Sequence, residues 1–382
     1  MSTNAPRVIF IHSSNDMFGA DRILLQVADA AAAAGFVPEV WLPSDVVAAP
    51  ESLDAQLSKR GYGVRILPLP ILRRRELRPL RIPGLLWRGI TTWARLARTR
   101  PAVVYCATSA ALPAAPLARM AGVRTVVLHN QEIWSGSEAR LLGILARFCT
   151  RAVAISDSAR RSLVGPIAER SQTIENGVPD RGSAAPIGRR AGPLDFLVAS
   201  RWNSWKGHGT LLAAWDSLDP APGVLTIAGS PPEVGIAVDV AALVAALHYP
   251  ESVNLIGQVP DITEYVDAAD YVLVPSDNPE PFGLVAIEAF SRYRPVIGSD
   301  GGGLAEVISD GVDGILFPLR DAAALAAALG GCSRDAARTM GEAARAAYLA
   351  KYSLERFSSE FEDFWRNMTV MRTVHSIQHG LT

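Results

Sequence analysis

Short apolar runs alternate with helix-period stretches along almost the whole of this chain. The first half offers strands at Val8–Ile11, Val37–Leu42, Val64–Leu67, Val103–Cys106, Thr125–Leu128 and Val153–Ile155, with helices such as Asp21–Ala34 and Ala139–Phe148 between them. The second half repeats the scheme at Phe196–Ala199, Val224–Ala228, Val253–Leu255, Tyr271–Val274, Pro295–Ile297 and Gly314–Phe317. Strands joined by whole helices must run parallel, and strands covered on both faces read as continuous apolar stretches. The pattern therefore predicts an α/β protein built from two Rossmann-like, doubly wound blocks. The 382 residues suffice for two domains, and 49% of them are apolar, so core burial is not limiting.

The boundary is expected within 178–193, a stretch rich in Pro, Gly and Ser with no apolar period. That gives an N-terminal domain over 1–185 and a second domain over 186–352, closed by Ala-rich helices at 321–330 and 334–350. A last amphipathic helix is expected over 353–370, with Ser353 as its cap. Residues 371–382 lack a period and read as a loose tail.

Three cysteines (Cys106, Cys149, Cys332) have no pair spacing, which argues against a disulfide framework or a zinc site. The first residues lack a basic start, an apolar core and a cleavage site, and no apolar run suffices to span a bilayer; the expectation is a cytoplasmic protein. The net charge of −1 conceals an asymmetry: residues 1–185 carry 23 basic and 14 acidic side chains, and residues 186–382 carry 14 and 24. Ten arginines and one acid, Glu76, fall within 65–100, among Leu, Ile and Trp. A basic segment of this kind, including Arg73, Arg74, Arg75, Arg78 and Arg81, suits an anionic membrane surface. Nothing resembles a motif that reads nucleic acid.

Two constellations carry chemistry. Glu280 and Glu288 stand with seven residues between them, in Pro-Glu-Pro-Phe-Gly-Leu-Val-Ala-Ile-Glu after an apolar strand. A chain that enters a helix through Pro-Phe-Gly offers the backbone N–H groups of Phe282, Gly283 and Leu284, at the positive end of the helix, to an anion. Carboxylates beside that site can address sugar hydroxyls, so a nucleotide sugar is the natural ligand. Arg201 and Lys206 share one short loop where a strand ends. A guanidinium fork and a point charge suit a diphosphate and the charge that develops as it leaves. A metal would need a carboxylate pair such as D-x-D, and the chain contains none.

This arrangement resembles the E-x7-E motif of retaining glycosyltransferases of family 4, which have the GT-B fold. The resemblance takes in Glu-Pro-Phe-Gly, the Glu288-Ala-Phe run, Arg-Pro-Val-Ile, the Gly-Gly-Gly turn and Glu306, and extends over almost the whole chain. It implies a cleft between the domains, an N-terminal acceptor-binding domain, a C-terminal nucleotide-sugar-binding domain and a terminal helix returning to the first. It further implies a hexosyl transfer that retains anomeric configuration and needs neither metal nor cofactor. Arg201, Lys206, Glu280 and His129 would carry the chemistry. Glu288 would bind the ribose, and Phe282, Gly283 and Leu284 the donor sugar. Asn15–Arg22 resembles the family's Gly-Gly-Ala-Glu turn and assigns Gly19 and Asp21 to substrate, although Phe18 replaces the first glycine. His129, at the end of its strand, matches a histidine that touches the reacting sugar, with His12 as a weaker competitor. Ser156, beside Asp157, and Asn176 match recurrent positions; local capping accounts for them almost as well. The acceptor expected is a lipid-linked or cell-surface glycan at the cytoplasmic membrane face. The rivals are a sugar-nucleotide epimerase, a natural-product glycosyltransferase with a soluble acceptor, and a non-catalytic sugar-nucleotide-binding subunit.

Overall fold

The computed structural model describes residues 5–46, 52–73, 82–232 and 235–379. The chain forms two compact units: residues 1–175 with 355–382, and residues 176–354. The first unit is a seven-stranded parallel sheet of β1 (Arg7–Ile11), β2 (Val37–Pro43), β3 (Gly63–Leu67), β4 (Val103–Cys106), β5 (Thr125–Asn130), β6 (Arg151–Ala154) and β7 (Ser171–Thr173), in the order β3-β2-β1-β4-β5-β6-β7. Successive side chains on a strand point to opposite faces. Ile9, Ile11, Val104, Cys106, Val126 and Leu128 therefore pack on one side, in a core with Leu96, Ala118 and Leu142. Those three come from helices Ile82–Thr99, Ala114–Met120 and Gly136–Ala146. On the other side Phe10 and Tyr105 meet Trp365, with ring centroids 5.8 and 5.4 Å away.

The second unit is a six-stranded parallel sheet of β8 (Leu194–Ala199), β9 (Gly223–Ala228), β10 (Val253–Gly257), β11 (Tyr271–Val274), β12 (Val296–Asp300) and β13 (Gly314–Pro318), in the order β10-β9-β8-β11-β12-β13. Phe196 stacks on Tyr271 at 5.7 Å and meets Trp215 edge-on at 5.5 Å, which ties β8 and β11 to the helix His208–Asp216. Both sheets are of the Rossmann type expected from the alternation. All twelve expected strands are present within a few residues; the thirteenth, β7, has the polar sequence Ser-Gln-Thr and no apolar signature.

Two boundaries differ from expectation. The chain enters the second unit at Asn176, ten residues before 186, because the Pro/Gly-rich stretch is tied to that unit. The Tyr348 hydroxyl donates to the Val178 carbonyl (2.9 Å), Arg345 pairs with Asp180, Arg292 and Arg294 donate to the carbonyls of Gly182 and Ala185, and Ile187 lies in the second core. Low apolar content marked a loop there, and arginines from elsewhere fasten it. The expected tail is also corrected: one helix runs Leu354–His379, with no Gly or Pro to stop it before Gly380. Of the basic segment, Arg74, Arg75, Arg78 and Arg81 lie outside the described residues. Arg73 pairs with Asp45 at 2.5 Å and donates to the Ser13 carbonyl at 2.9 Å. Among the described residues no helix is long and apolar enough to cross a membrane.

Candidate functional site

In the second unit the strand order reverses between β8 and β11. Open parallel sheets leave a crevice at such a point, beyond the carboxyl ends of the strands. The sequence puts charge there from both sides. The loop after β8 carries Arg201 and Lys206, and the loop after β11 carries Glu280. Lys206 Nζ donates to both carboxylate oxygens of Glu280, each at 3.0 Å, although 74 residues separate the two in sequence. Ser276 Oγ donates to Glu280 Oε2 at 2.7 Å. The Glu280 backbone is held by the Gly-Gly-Gly turn that follows β12: its N–H donates to the Gly301 carbonyl (3.3 Å), and the Gly303 N–H donates to its carbonyl (2.7 Å). Three strand-end loops thus converge on one buried carboxylate.

Local geometry fixes the cation as firmly. The Lys206 ammonium lies 4.1 Å from the centroid of the Trp205 ring, within cation–π range. Gly207 follows with φ +72°, and a Cβ there would fall 1.7 Å from the Pro275 carbonyl oxygen. Only glycine lets this loop lie against the end of β11. The Asp277 N–H donates to the Trp205 carbonyl (2.8 Å), and Thr210 Oγ1 donates to Asp277 Oδ1 (2.7 Å). These bonds join the two loops a second time. His208, buried at the start of the next helix, is pushed down to about 4 by burial and then by the Lys206 charge, so it is neutral near pH 7.

Gly283 caps the helix Leu284–Ser291 with φ +94°, and a Cβ there would come within 2.7 Å of Leu304 Cδ1. The first N–H groups of that helix have no carbonyl one turn behind them and face outward from its positive end. Glu288 stands one turn after Leu284 on the same half-exposed face. Phe282 is buried edge-on against Tyr352, with centroids 6.1 Å apart, which anchors the entry to the helix. Arg201 is exposed in the β8 loop, and Asn176 is buried where the chain enters this unit. Among the described residues no three His, Cys, Asp or Glu side chains gather as a cation site.

The first unit holds the remaining candidates. Gly19 opens the helix Gly19–Ala33. Asp21 is buried there and closes a network: His12 Nε2 lies 2.9 Å from Asp21 Oδ1, Ser14 Oγ donates to the same oxygen at 2.7 Å, and the Phe18 N–H donates to Oδ2 at 3.2 Å. Burial raises the Asp21 carboxyl, and these bonds, led by His12, outweigh it and hold the group below its usual range. Asp21 acts as the local cap. His129 is wholly enclosed, edge-on to Tyr105 at 5.8 Å and 5.7 Å from Phe361, with no hydrogen-bond partner for either ring nitrogen. Burial and then the nearby His12 lower it to about 3, so it is uncharged near neutral pH. Ser156 caps the helix Asp157–Arg161 by accepting from the Ala159 N–H at 3.0 Å. The structure therefore unites Lys206 and Glu280, adds Ser276 and Asp277 to them, and gives His12, rather than His129, an acidic partner. Ser276 and Asp277 went unread, although a Pro-Ser-Asp run directly after a strand marks a site loop.

Known proteins share this organisation. Residues 18–181 match the model "Glycosyltransferase Family 4", and residues 193–335 match "Glycosyl transferases group 1". A glycogen synthase of Mycobacterium tuberculosis is 31% identical over 203 residues, which are 52% of this chain and 47% of that protein. A phosphatidyl-myo-inositol mannosyltransferase of Mycobacterium leprae is 32% identical over 191 residues, 46% of this chain and 48% of that one. The chain thus spans about half the length of these curated relatives. Among solved structures, Anabaena HepE in complex with UDP and glucose superposes with a TM-score of 0.74 at 21% identity, covering 94% of this chain and 99% of that one. Sucrose-phosphate synthase of Thermosynechococcus elongatus gives 0.76 at 20% identity, covering 96% and 100%. With these matches and this fold throughout, residues 18–181 form a glycosyltransferase family 4 domain, residues 193–335 form a glycosyl transferases group 1 domain, and the chain has the GT-B architecture.

Proposed function

We propose that this protein is a retaining, metal-independent glycosyltransferase that moves a hexosyl unit from a nucleoside-diphosphate sugar to a lipid-linked or cell-surface glycan at the cytoplasmic face of a membrane. The observation that carries the reading is the Lys206–Glu280 pair at the β8/β11 reversal, beside a helix entered through glycine. The Glu280 carboxylate holds the Lys206 ammonium in place. When a diphosphate arrives, Lys206 and Arg201 turn to its oxygens and stabilise the charge left on the departing group. Glu280 and the N–H groups from Phe282 to Leu284 then address the sugar, and Glu288 the ribose. Glu280 gives both oxygens to Lys206, which suits a positioning carboxylate better than an attacking nucleophile. This favours a path in which the departing phosphate accepts the acceptor proton on the face of attack. His129 is uncharged and its ring nitrogens have no protein partner, but a sugar hydroxyl reaches them only if the Tyr105 and Phe361 rings that enclose it give way. Similar structures of Anabaena HepE, in complex with UDP and glucose and with UDP-glucose, support a nucleotide-sugar donor.

The test is thermal unfolding of wild type and Lys206→Ala with UDP, GDP, TDP and ADP. A nucleotide at a hundred times its Kd adds about 2.7 kcal/mol. A shift produced by one nucleotide and abolished in the variant is expected. With the matching nucleotide sugar, Lys206→Ala should lower kcat by about 10²-fold or more. Equal kcat in the two proteins would remove Lys206 from the chemistry. Turnover of donor without acceptor would point to an epimerase.

A further inference from the structure

The helix Ile82–Thr99 is divided lengthwise into three arcs. Gly89, Thr92 and Leu96 are buried toward the sheet and the helix Ala114–Met120. Leu86, Ile90 and Trp93 recur at i, i+4 and i+7 on a second arc with Trp87 beside them, and they are 62%, 56%, 39% and 64% exposed. Arg88, Arg95 and Arg98 follow on the next arc, and the helix contains no acidic residue. Four large apolar side chains open to water on one helix exceed the scatter normal for a soluble surface. The helix Gly136–Ala146, in the same layer, and the turn that follows it repeat the pairing: Ile144 and Phe148 are exposed beside Arg140 and Arg147, with Glu138 the single acid.

We propose that this helical layer is a docking surface for an anionic lipid bilayer, with Leu86, Trp87, Ile90 and Trp93 entering the headgroup boundary and the arginines meeting lipid phosphates. An apolar arc edged by arginine is how an interfacial helix divides between acyl chains and headgroups, and indole rings favour that depth. Charge complementarity commits the occupant: a second copy of this chain would bring the same arginines against these. The proposal deepens the membrane-face reading above, yet it is measured without donor or acceptor, so it and glycosyl transfer fail independently.

The experiment is flotation of the full chain with vesicles of phosphatidylcholine alone and of phosphatidylcholine with phosphatidylglycerol. Binding to the anionic vesicles is expected, with about a fivefold loss for Arg98→Gln and a larger loss for Trp87→Ser with Ile90→Ser. These side chains are exposed, so the variants should keep the wild-type melting temperature, which excludes misfolding as the cause. Absence of binding to either vesicle overturns the proposal. So does equal binding to both, or binding unchanged in the variants. A wild-type dimer in light scattering that the double variant dissociates would assign the surface to a second copy instead and overturn it too.

Discussion

At the scale of single residues, the centre of the second unit depends on a pairing between side chains 74 positions apart. Lys206→Ala removes the ammonium and leaves the Glu280 carboxylate with Ser276 alone, at a cost of about 1–3 kcal/mol. Gly207 matters as much without a side chain. Gly207→Ala must displace the Pro275 carbonyl and hold a strained φ, so urea unfolding should show a loss of about 1–3 kcal/mol and nucleotide binding should weaken with it. An unchanged midpoint would mean the loop has room the geometry denies. His129 and His208 set an acid limit. Both are neutral when folded, at about 3 and about 4, against an ordinary value of 6.5. Below pH 6.5 the unfolded chain takes up protons that the folded chain refuses, so stability is intact above that pH and falls as pH drops toward 4. Each histidine contributes a slope of up to about 1.4 kcal/mol per pH unit. His129→Phe should flatten that slope between pH 6.5 and 4, whatever it does to stability at pH 7; an equal slope would show that His129 is protonated in the folded chain. The pair that the structure brings together, Lys206 and Glu280, was legible because both stand in strand-end loops, whereas Arg201 and Glu288 remain candidates beside it. The enclosure of His129 was not, because its cover includes Phe361, more than two hundred residues downstream.

At the scale of elements, strands were legible where burial on both faces made them apolar throughout, and illegible where an edge strand is polar, as in β7. The helix Ile82–Thr99 was hidden for a different reason. Its charge drew attention, while its three arcs emerge only when one of them is seen packed. The long terminal helix shows how an element gains its place from packing rather than propensity. Trp365 is fully buried against Phe10, Phe36 and Tyr105. Trp365→Ala should cost about 3–5 kcal/mol in urea unfolding. A cost below about 1 kcal/mol would mean that the helix only rests on the sheet.

At the scale of the whole molecule, a net charge of −1 describes neither part. The first 185 residues are strongly basic and the remainder strongly acidic. Binding to anionic vesicles should therefore persist near neutral net charge and weaken as salt rises, since the screening length falls from about 8 Å at physiological ionic strength to about 3 Å at 1 M. Salt-independent flotation would leave only the apolar arc to account for it. The path of the chain has a further consequence. The second unit is one continuous segment, whereas the first is assembled from residues 1–175 and a helix that begins at Leu354. On the ribosome, the segment that starts later can finish first. A nascent chain halted soon after the second unit emerges should resist protease there, while Phe10 and Tyr105 still await the tryptophan that covers them. Throughout synthesis, the first unit begun is the last to become complete.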